Sequence, residues 1–456
     1  MRTPTAGRLS LTELHLREEE RFAREHPRSR ELALQAHEHL LAGVPMHWMA
    51  KWPGGFPLFV AAAHGGRFTD VDGYEYVDLC LGDTGAMSGH APEPTLRAIA
   101  EQAAKGITTM LPTVDALWVA GELARRFGLP SWQFALTATD ANRFAIRLAR
   151  HATRRPKILV FNWCYHGTLD ETFATLVDGS VQPRRGNLGP PVHPSETTRV
   201  VEFNDVAGLD RELAQGDVAV VLAEPALTNV GIVHPDPGFH DALRELTRRH
   251  GTLLAIDETH TICCGPGGYT AAYGLAPDLL TIGKPIAGGV PASAYGFSAE
   301  LAERVVGSIE LEDADVGGVG GTLAANALSL AAMRATLAEV LTEEAFTRMI
   351  RLAERFTVGV EAAIAEARAP WHVTQLGCRA EYLFGPNRPR SGSEAHAAGD
   401  FELERYMHLH ALNRGVLLTP FHNMALMTPA TTEDDVDRHT AVFGEAVLEL
   451  AAAAVF

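Results

Sequence analysis

The sequence predicts an α/β protein: a large domain built on a mostly parallel sheet with helices on both faces, joined to a smaller α+β domain. Three observations carry this. Short apolar runs, "WQFALTA", "KILVFN", "VAVVLAEP", "TLLAIDE" and "DLLTIG", recur between residues 132 and 283. Amphipathic segments such as "DANRFAIRLARHAT" and "GFHDALRELTRRHG" separate several of them. The chain, at 456 residues, is long enough for two or three folding units. Strands that are apolar throughout, rather than alternating, belong to sheets covered on both faces, which are mostly parallel.

Taken in order, residues 10 to 42 spread apolar positions among charges and are expected to be helical. "RFTDVDGYEYVDLC" (67 to 80) reads as a hairpin with Asp72-Gly73 as its turn. Residues 1–75 are assigned to the smaller domain, 76–330 to the large domain, and 331–456 again to the smaller one. "AANALSLAAMRATLAEVL" reads as the long helix leading out of the large domain. "RAEYLF" and "VLLTPF" read as strands beyond it, "GPNRPRSGSEAHAAGD" as an exposed loop, and "TEDDVDRHTAVFGEAVLELAAA" as a closing helix.

Composition narrows the function. The formal net charge is −17, whereas a phosphate polyanion or an anionic membrane surface calls for clustered lysine and arginine. No nucleic-acid or membrane partner is expected. No apolar run approaches the roughly 18 residues of a membrane span. The charge-dense N-terminal segment lacks a signal peptide's apolar stretch, so a cytoplasmic location is expected. Five cysteines, two of them adjacent at Cys263 and Cys264, suit a reducing compartment and packing roles. The 20 histidines are scattered without an HExxH-type pairing, and no metal site is expected.

Ligand sites in such sheets gather beyond the carboxyl ends of the strands. That rule brings Thr137, Asn162, Glu224, Asp257 and Gly283 to one rim, with Lys284 next in "TIGKPIAGG". Asp257 closes an apolar strand, where a carboxylate is costly to desolvate without a cationic partner. Asp257 and Lys284 could pair, or they could grip opposite ends of a flat cofactor. Thr139 and Asp140 head an amphipathic helix: they are ordinary caps, or they frame an anion site made of free backbone N–H groups. Tyr165 and His166 follow another strand end in "FNWCYHG", where a ring could stack on a ligand or pack in the core. Thr322 follows a glycine-rich turn in "GVGGTLAANAL".

In this order, "TATDA", "YHG", "EP", "DETH", "GKPIAGG" and "GGT" resemble the class III aminotransferases of the fold-type I pyridoxal-phosphate enzymes. The pattern is similar to glutamate-1-semialdehyde aminomutase and to β-amino-acid and amine transaminases, over nearly the whole chain. The resemblance implies a seven-stranded, mostly parallel sheet in the large domain and pyridoxal 5′-phosphate as cofactor. It implies that Lys284 forms an imine with the cofactor and that Asp257 faces the pyridine nitrogen. Tyr165 and Thr259 would flank the ring, with His166 beside Tyr165 and Glu224 near the phenolic oxygen. Thr137, Ala138 and Thr139 would form the phosphate loop, and Thr322 would bind the phosphate of a neighbouring subunit in a homodimer. Ala138 stands where the family usually has glycine, which is harmless only if its φ is negative.

The implied reaction moves an amino group between an amine or amino acid, including β- and ω-amino acids, and a keto acid or other carbonyl acceptor. Amino-group migration, racemisation and decarboxylation are alternatives on the same scaffold. Many relatives carry an arginine in the C-terminal strand-turn; here it reads "LLTPFHNMALM", with neither that arginine nor the glutamate of aminomutases. Arg379 is therefore the expected carboxylate clamp. Trp52, His260 and His422 are the other expected substrate contacts.

Overall fold

The computed structural model describes residues 10–308, 318–419 and 422–456. Phe421, in the C-terminal turn quoted above, lies outside them. Seven strands form the central sheet: β1 (Ser131–Ala135), β2 (Lys157–Phe161), β3 (Thr198–Val201), β4 (Val218–Ala223), β5 (Leu253–Asp257), β6 (Leu279–Ile282) and β7 (Ser293–Phe297). Their order is β1-β7-β6-β5-β4-β2-β3. Every neighbouring pair is parallel except those of β7, which runs antiparallel to both β6 and β1. The five apolar runs are five of these strands; β3 and β7 were not anticipated.

Side chains leave alternate faces of a strand. Along β6, Leu279 enters one apolar cluster while Leu280 and Ile282 enter another. Along β7, Tyr295 and Phe297 join the first cluster and Ala294 the second. Both faces are thus buried, which is why these strands read as unbroken apolar runs. Helix Ala138–Thr153 contributes Ala141, Phe144, Ala145 and Leu148 to the first cluster.

The 67–80 hairpin forms as expected, pairing Arg67–Asp70 with Glu75–Asp78 around Gly73 at φ +93°. Residues 10 to 42 form two helices, Leu11–Glu25 and Pro27–Ala36, rather than one. The chain breaks where Pro27 starts a new first turn. Val416–Leu417, in the expected strand "VLLTPF", pairs in parallel with the hairpin. A three-stranded sheet joins His372–Leu376, Arg379–Leu383 and Met424–Leu426. The expected loop from 385 to 400 carries a short helix, Gly392–Ala397, capped by the Ser391 side chain accepting from the Glu394 N–H.

Candidate functional site

A cleft of about 460 Å³ opens at the carboxyl ends of β1, β5 and β6. At one end lies the N-terminus of the helix Ala138–Thr153. Thr137 is its N-cap: the hydroxyl accepts from the Asp140 N–H at 3.2 Å and donates to the Asp140 carboxylate at 2.9 Å. Ala138 is the first helical residue and is absent from the positive-φ residues, so alanine carries no strain there. Gly167, at φ +84°, presses against this turn; a Cβ on it would sit 2.1 Å from Thr139 Oγ1. Thr139 Oγ1 in turn accepts from the Thr168 N–H at 3.1 Å.

Asp257, 3% exposed, stands at the end of β5. One carboxylate oxygen accepts from Asn142 Nδ2 at 2.8 Å and meets His166 Nδ1 at 2.9 Å; the other accepts from the Thr259 N–H at 3.0 Å. Burial alone would push this carboxyl up, but the His166 hydrogen bond and charge hold it below the usual carboxylate range; burial opposes charge on His166 too, yet Cys164 and then Asp257 raise it well above its ordinary value. Asp257 is thereby kept ionised in the cleft floor. Thr259 Oγ1, beside it, is buried with no hydrogen-bond partner among the described residues.

Lys284 follows β6 with φ +53°, a left-handed conformation that costs a side-chain-bearing residue energy and collects at functional sites. Its Nζ lies 2.9 Å from Asp83 Oδ2 and 2.8 Å from His260 Nε2. Asp83 and Thr84 also have positive φ. Burial pushes the Asp83 carboxyl up, but Lys284 and His260 pull it well below its ordinary range. Burial, and then Lys284, push the His260 imidazole well below its ordinary value, so it is neutral. Behind it, Arg379 Nη1 lies 3.1 Å from His260 Nδ1 and Arg379 Nη2 donates to the Thr228 carbonyl at 3.0 Å.

A second cavity of about 500 Å³ shares Trp48, Tyr165 and His260 with the cleft. Trp163, Phe173 and Arg184 line it, and so do Glu381, Glu404 and His422. The rings of Trp48 and Tyr165 are 5.8 Å apart.

The structure brings Thr137, Ala138, Thr139, Tyr165, Asp257, Thr259, His260 and Lys284 to one cleft, and His422 to the adjoining cavity. Other expectations need correction. His166 does not line the cleft; it is 1% exposed and acts on Asp257 from behind. Glu224 is also behind the wall, where its carboxylate accepts from the Tyr165 N–H at 3.1 Å and from the Thr228 hydroxyl. Trp52 lines neither cavity, and Trp48 takes the place expected for it. Arg379 is 0% exposed, lines neither cavity, and spends its donors on His260 and Thr228. Thr322, expected to serve a neighbouring subunit and not its own, needs no correction: it is exposed and outside the cleft of the single chain. Asp83 and Arg184 were missed. Positive φ and long-range pairing, neither visible in sequence, mark the first; a cavity marks the second.

Comparison with known proteins follows the same lines. The family profile for aminotransferase class-III matches residues 48–446. A glutamate-1-semialdehyde 2,1-aminomutase of Sorangium cellulosum is 34% identical over 403 residues, covering 86% of this chain and 90% of that protein. The crystal structure of a glutamate-1-semialdehyde-aminomutase from Pseudomonas aeruginosa PAO1 superposes with a TM-score of 0.94 at 52% identity, covering 96% of this chain and 98% of the other. The same bacterial protein has been crystallised as a lysine-to-alanine variant in complex with PMP. A β-phenylalanine aminotransferase from Variovorax paradoxus superposes with a TM-score of 0.85 at 26% identity, over 96% and 97% of the two chains.

Proposed function

Since the chain belongs to the class III aminotransferases, we propose that it is a pyridoxal-phosphate enzyme moving an amino group from an amine or amino acid to a carbonyl acceptor. The observation that carries this is the meeting of Asp257 and Lys284 in one cleft. The residues fit the cofactor: a helix N-terminus faces the cleft, Thr259 Oγ1 is buried and unpartnered in its wall, and Gly167 leaves no room for a Cβ beside Thr139. Pyridoxal 5′-phosphate, when bound, supplies an aldehyde for the amine and a ring that accepts electrons.

In this reading Ala138 and Thr139 would hold the phosphate with backbone N–H groups. Tyr165 and Thr259 would flank the ring, and Asp257 would keep its nitrogen protonated. His166 and Asn142 hold the Asp257 carboxylate in place. Lys284 acts as an amine, first as the tether and, once released, as the base that moves a proton on the substrate carbon. Asp83 accepts from Lys284 Nζ and would stabilise the lysine's ammonium form once Nζ has taken the proton. Tyr165 and Trp48, where the two cavities join, would limit the access of water.

The same reading makes the working unit a cytoplasmic homodimer. Thr322, exposed here, would reach a neighbouring subunit's phosphate; the five cysteines are free, and among the described residues no helix is long and apolar enough to cross a membrane. Residues 76–330 would carry the cofactor. The ion pairs of Arg17 with Glu449 and of Arg414 with Glu18 support grouping 1–75 with 331–456.

Amino-group migration within one substrate is the second reading, favoured by the aminomutase at 52% identity. Holoenzyme is incubated with an amine donor, with and without a keto acid, and products are identified. Transamination needs the acceptor; an isomeric product formed without it establishes migration, and a colourless, inert preparation after cofactor supplementation sinks both.

A further inference from the structure

Three cations, Lys51, Arg184 and Arg185, line the second cavity, and of these Arg184 is the buried one. It follows the strand Ser180–Pro183, paired with Ala174–Val177, and its backbone N–H donates to the Phe173 carbonyl at 2.9 Å, so the base of a hairpin fixes its position. It is 5% exposed. Its guanidinium carbon lies 4.6 Å from the centre of the Phe173 ring and 5.9 Å from that of Trp163. Nη1 donates to the Cys164 carbonyl at 2.6 Å. Among the described residues no carboxylate lies within ion-pair distance and no other side-chain donor of Arg184 has a partner. An arginine set beside two rings, buried and with no carboxylate closer than the more distant attraction of Glu224, is costly to maintain without an anion. Its free edge suits a planar carboxylate.

The other polar groups of the cavity fix which way a zwitterion would lie. Glu381, 1% exposed, has one oxygen 3.6 Å from His422 Nδ1 and the other buried without a partner. It and Glu404 come from the C-terminal segment, and Asp83 and Asp400 line the same cavity. These acids repel a carboxylate, and Arg184 attracts one. The cavity meets the cofactor cleft at Trp48, Tyr165 and His260, and Tyr165 is the residue after the Cys164 whose carbonyl Arg184 holds, so the two spaces are joined beside the arginine's own anchor.

We propose that Arg184 is the receptor for a carboxylate on the amino donor, which makes the substrate an amino acid and not a simple amine. This rests on the aminotransferase reading and replaces Arg379 as the clamp.

The test uses holoenzyme reconstituted with pyridoxal 5′-phosphate. It is titrated with 3-phenylpropanoate, a carboxylate without an amine, while the near-visible band is followed. Donors are then compared as matched pairs differing only by the carboxylate: 3-amino-3-phenylpropanoate against 1-phenylethylamine, and alanine against ethylamine. The wild type should bind the carboxylate and prefer the acid member of at least one pair. Arg184→Gln should weaken carboxylate binding and shrink that preference by about 10- to 100-fold, as expected for loss of a charge-assisted bidentate contact; Arg184→Lys should keep part of both. If Arg184→Gln does not fold, the wild-type titration and the Arg184→Lys ratio decide. A wild type that bleaches equally with both members of each pair, or an Arg184 variant with unchanged preference, overturns this proposal and leaves the enzyme class intact. A wild type that takes up no cofactor overturns both.

Discussion

Arg379 Nη1 stands 3.1 Å from His260 Nδ1, and this contact fixes which nitrogen of the imidazole carries the proton. Arginine has only donors, so Nδ1 accepts and the proton of the neutral ring is on Nε2. Nε2 then donates to Lys284 Nζ across 2.8 Å, while Nζ donates to Asp83 Oδ2 across 2.9 Å. Lys284 in the amine form that the reaction needs meets both contacts at once, through its lone pair and an N–H, whereas it is the charge of the ammonium form that depresses Asp83 and His260. His260 is therefore a positioning residue for Lys284. His260→Leu should slow single-turnover bleaching by about 10- to 100-fold, within the range of lost acid–base or orienting groups. His260→Gln, which keeps an N–H donor, should restore part of the rate, and equal rates for the two variants would remove the orienting role.

Lys284→Ala should retain bound cofactor but lose the absorbance of the lysine-linked form and nearly all turnover. Asp257, the helix N-terminus and the ring-flanking residues remain in place, so affinity survives loss of the tether. Absorption spectra and product assays on the purified variant check both halves. Turnover close to wild type would mean that another group serves as the base.

Gly167→Ala should weaken cofactor affinity far more than it lowers stability. Alanine at φ +84° is strained, and its Cβ would fall 2.1 Å from Thr139 Oγ1 at the turn expected to hold the phosphate. Equilibrium dialysis of cofactor, compared with a urea midpoint of the apoprotein, separates the two effects. Unchanged affinity would place the phosphate elsewhere.

Glu404 predicts a pH dependence. Burial pushes its carboxyl from an ordinary 4.5 up to about 7, with His422 opposing and Glu381 and Asp400 reinforcing the shift. A folded-state value above the unfolded one contributes stability that is present below 4.5 and lost as pH rises through 7. Glu404→Gln, always neutral, should lose less stability than wild type between pH 5 and 7.5. The difference is at most about 1.4 kcal/mol per pH unit, and less because solvent reaches the half-buried side chain. Urea midpoints across that range test it, and parallel profiles would refute the shift.

The legible parts of the molecule are those set by near neighbours in sequence. Five strands of the central sheet announce themselves as apolar runs, and their carboxyl ends carry Thr137, Asp257 and Lys284 to one cleft. β3 offers only "TRVV" and β7 "SAYGF", runs too short or too interrupted by polar and glycine residues to stand out. Among the aromatics, Trp48 and Trp52 look alike in "HWMAKWPGG". They lie in or just after one short helical segment, and only its path decides that Trp48 reaches the cavities. Arg379 was legible as a cation near the site, but not its depth.

The sequence by itself determined five of the sheet's seven strands and the meeting of Asp257 and Lys284 at one rim, because strand periodicity and the rule that ligands collect at strand ends depend on local chain geometry. Only the tertiary structure decided what surrounds the lysine. Asp83 comes from 201 positions away in the chain, and Arg379 lies 119 positions from the imidazole it orients. Each is buried, so each must find a polar partner, and that partner is selected by how three distant segments pack and not by any pattern along the chain.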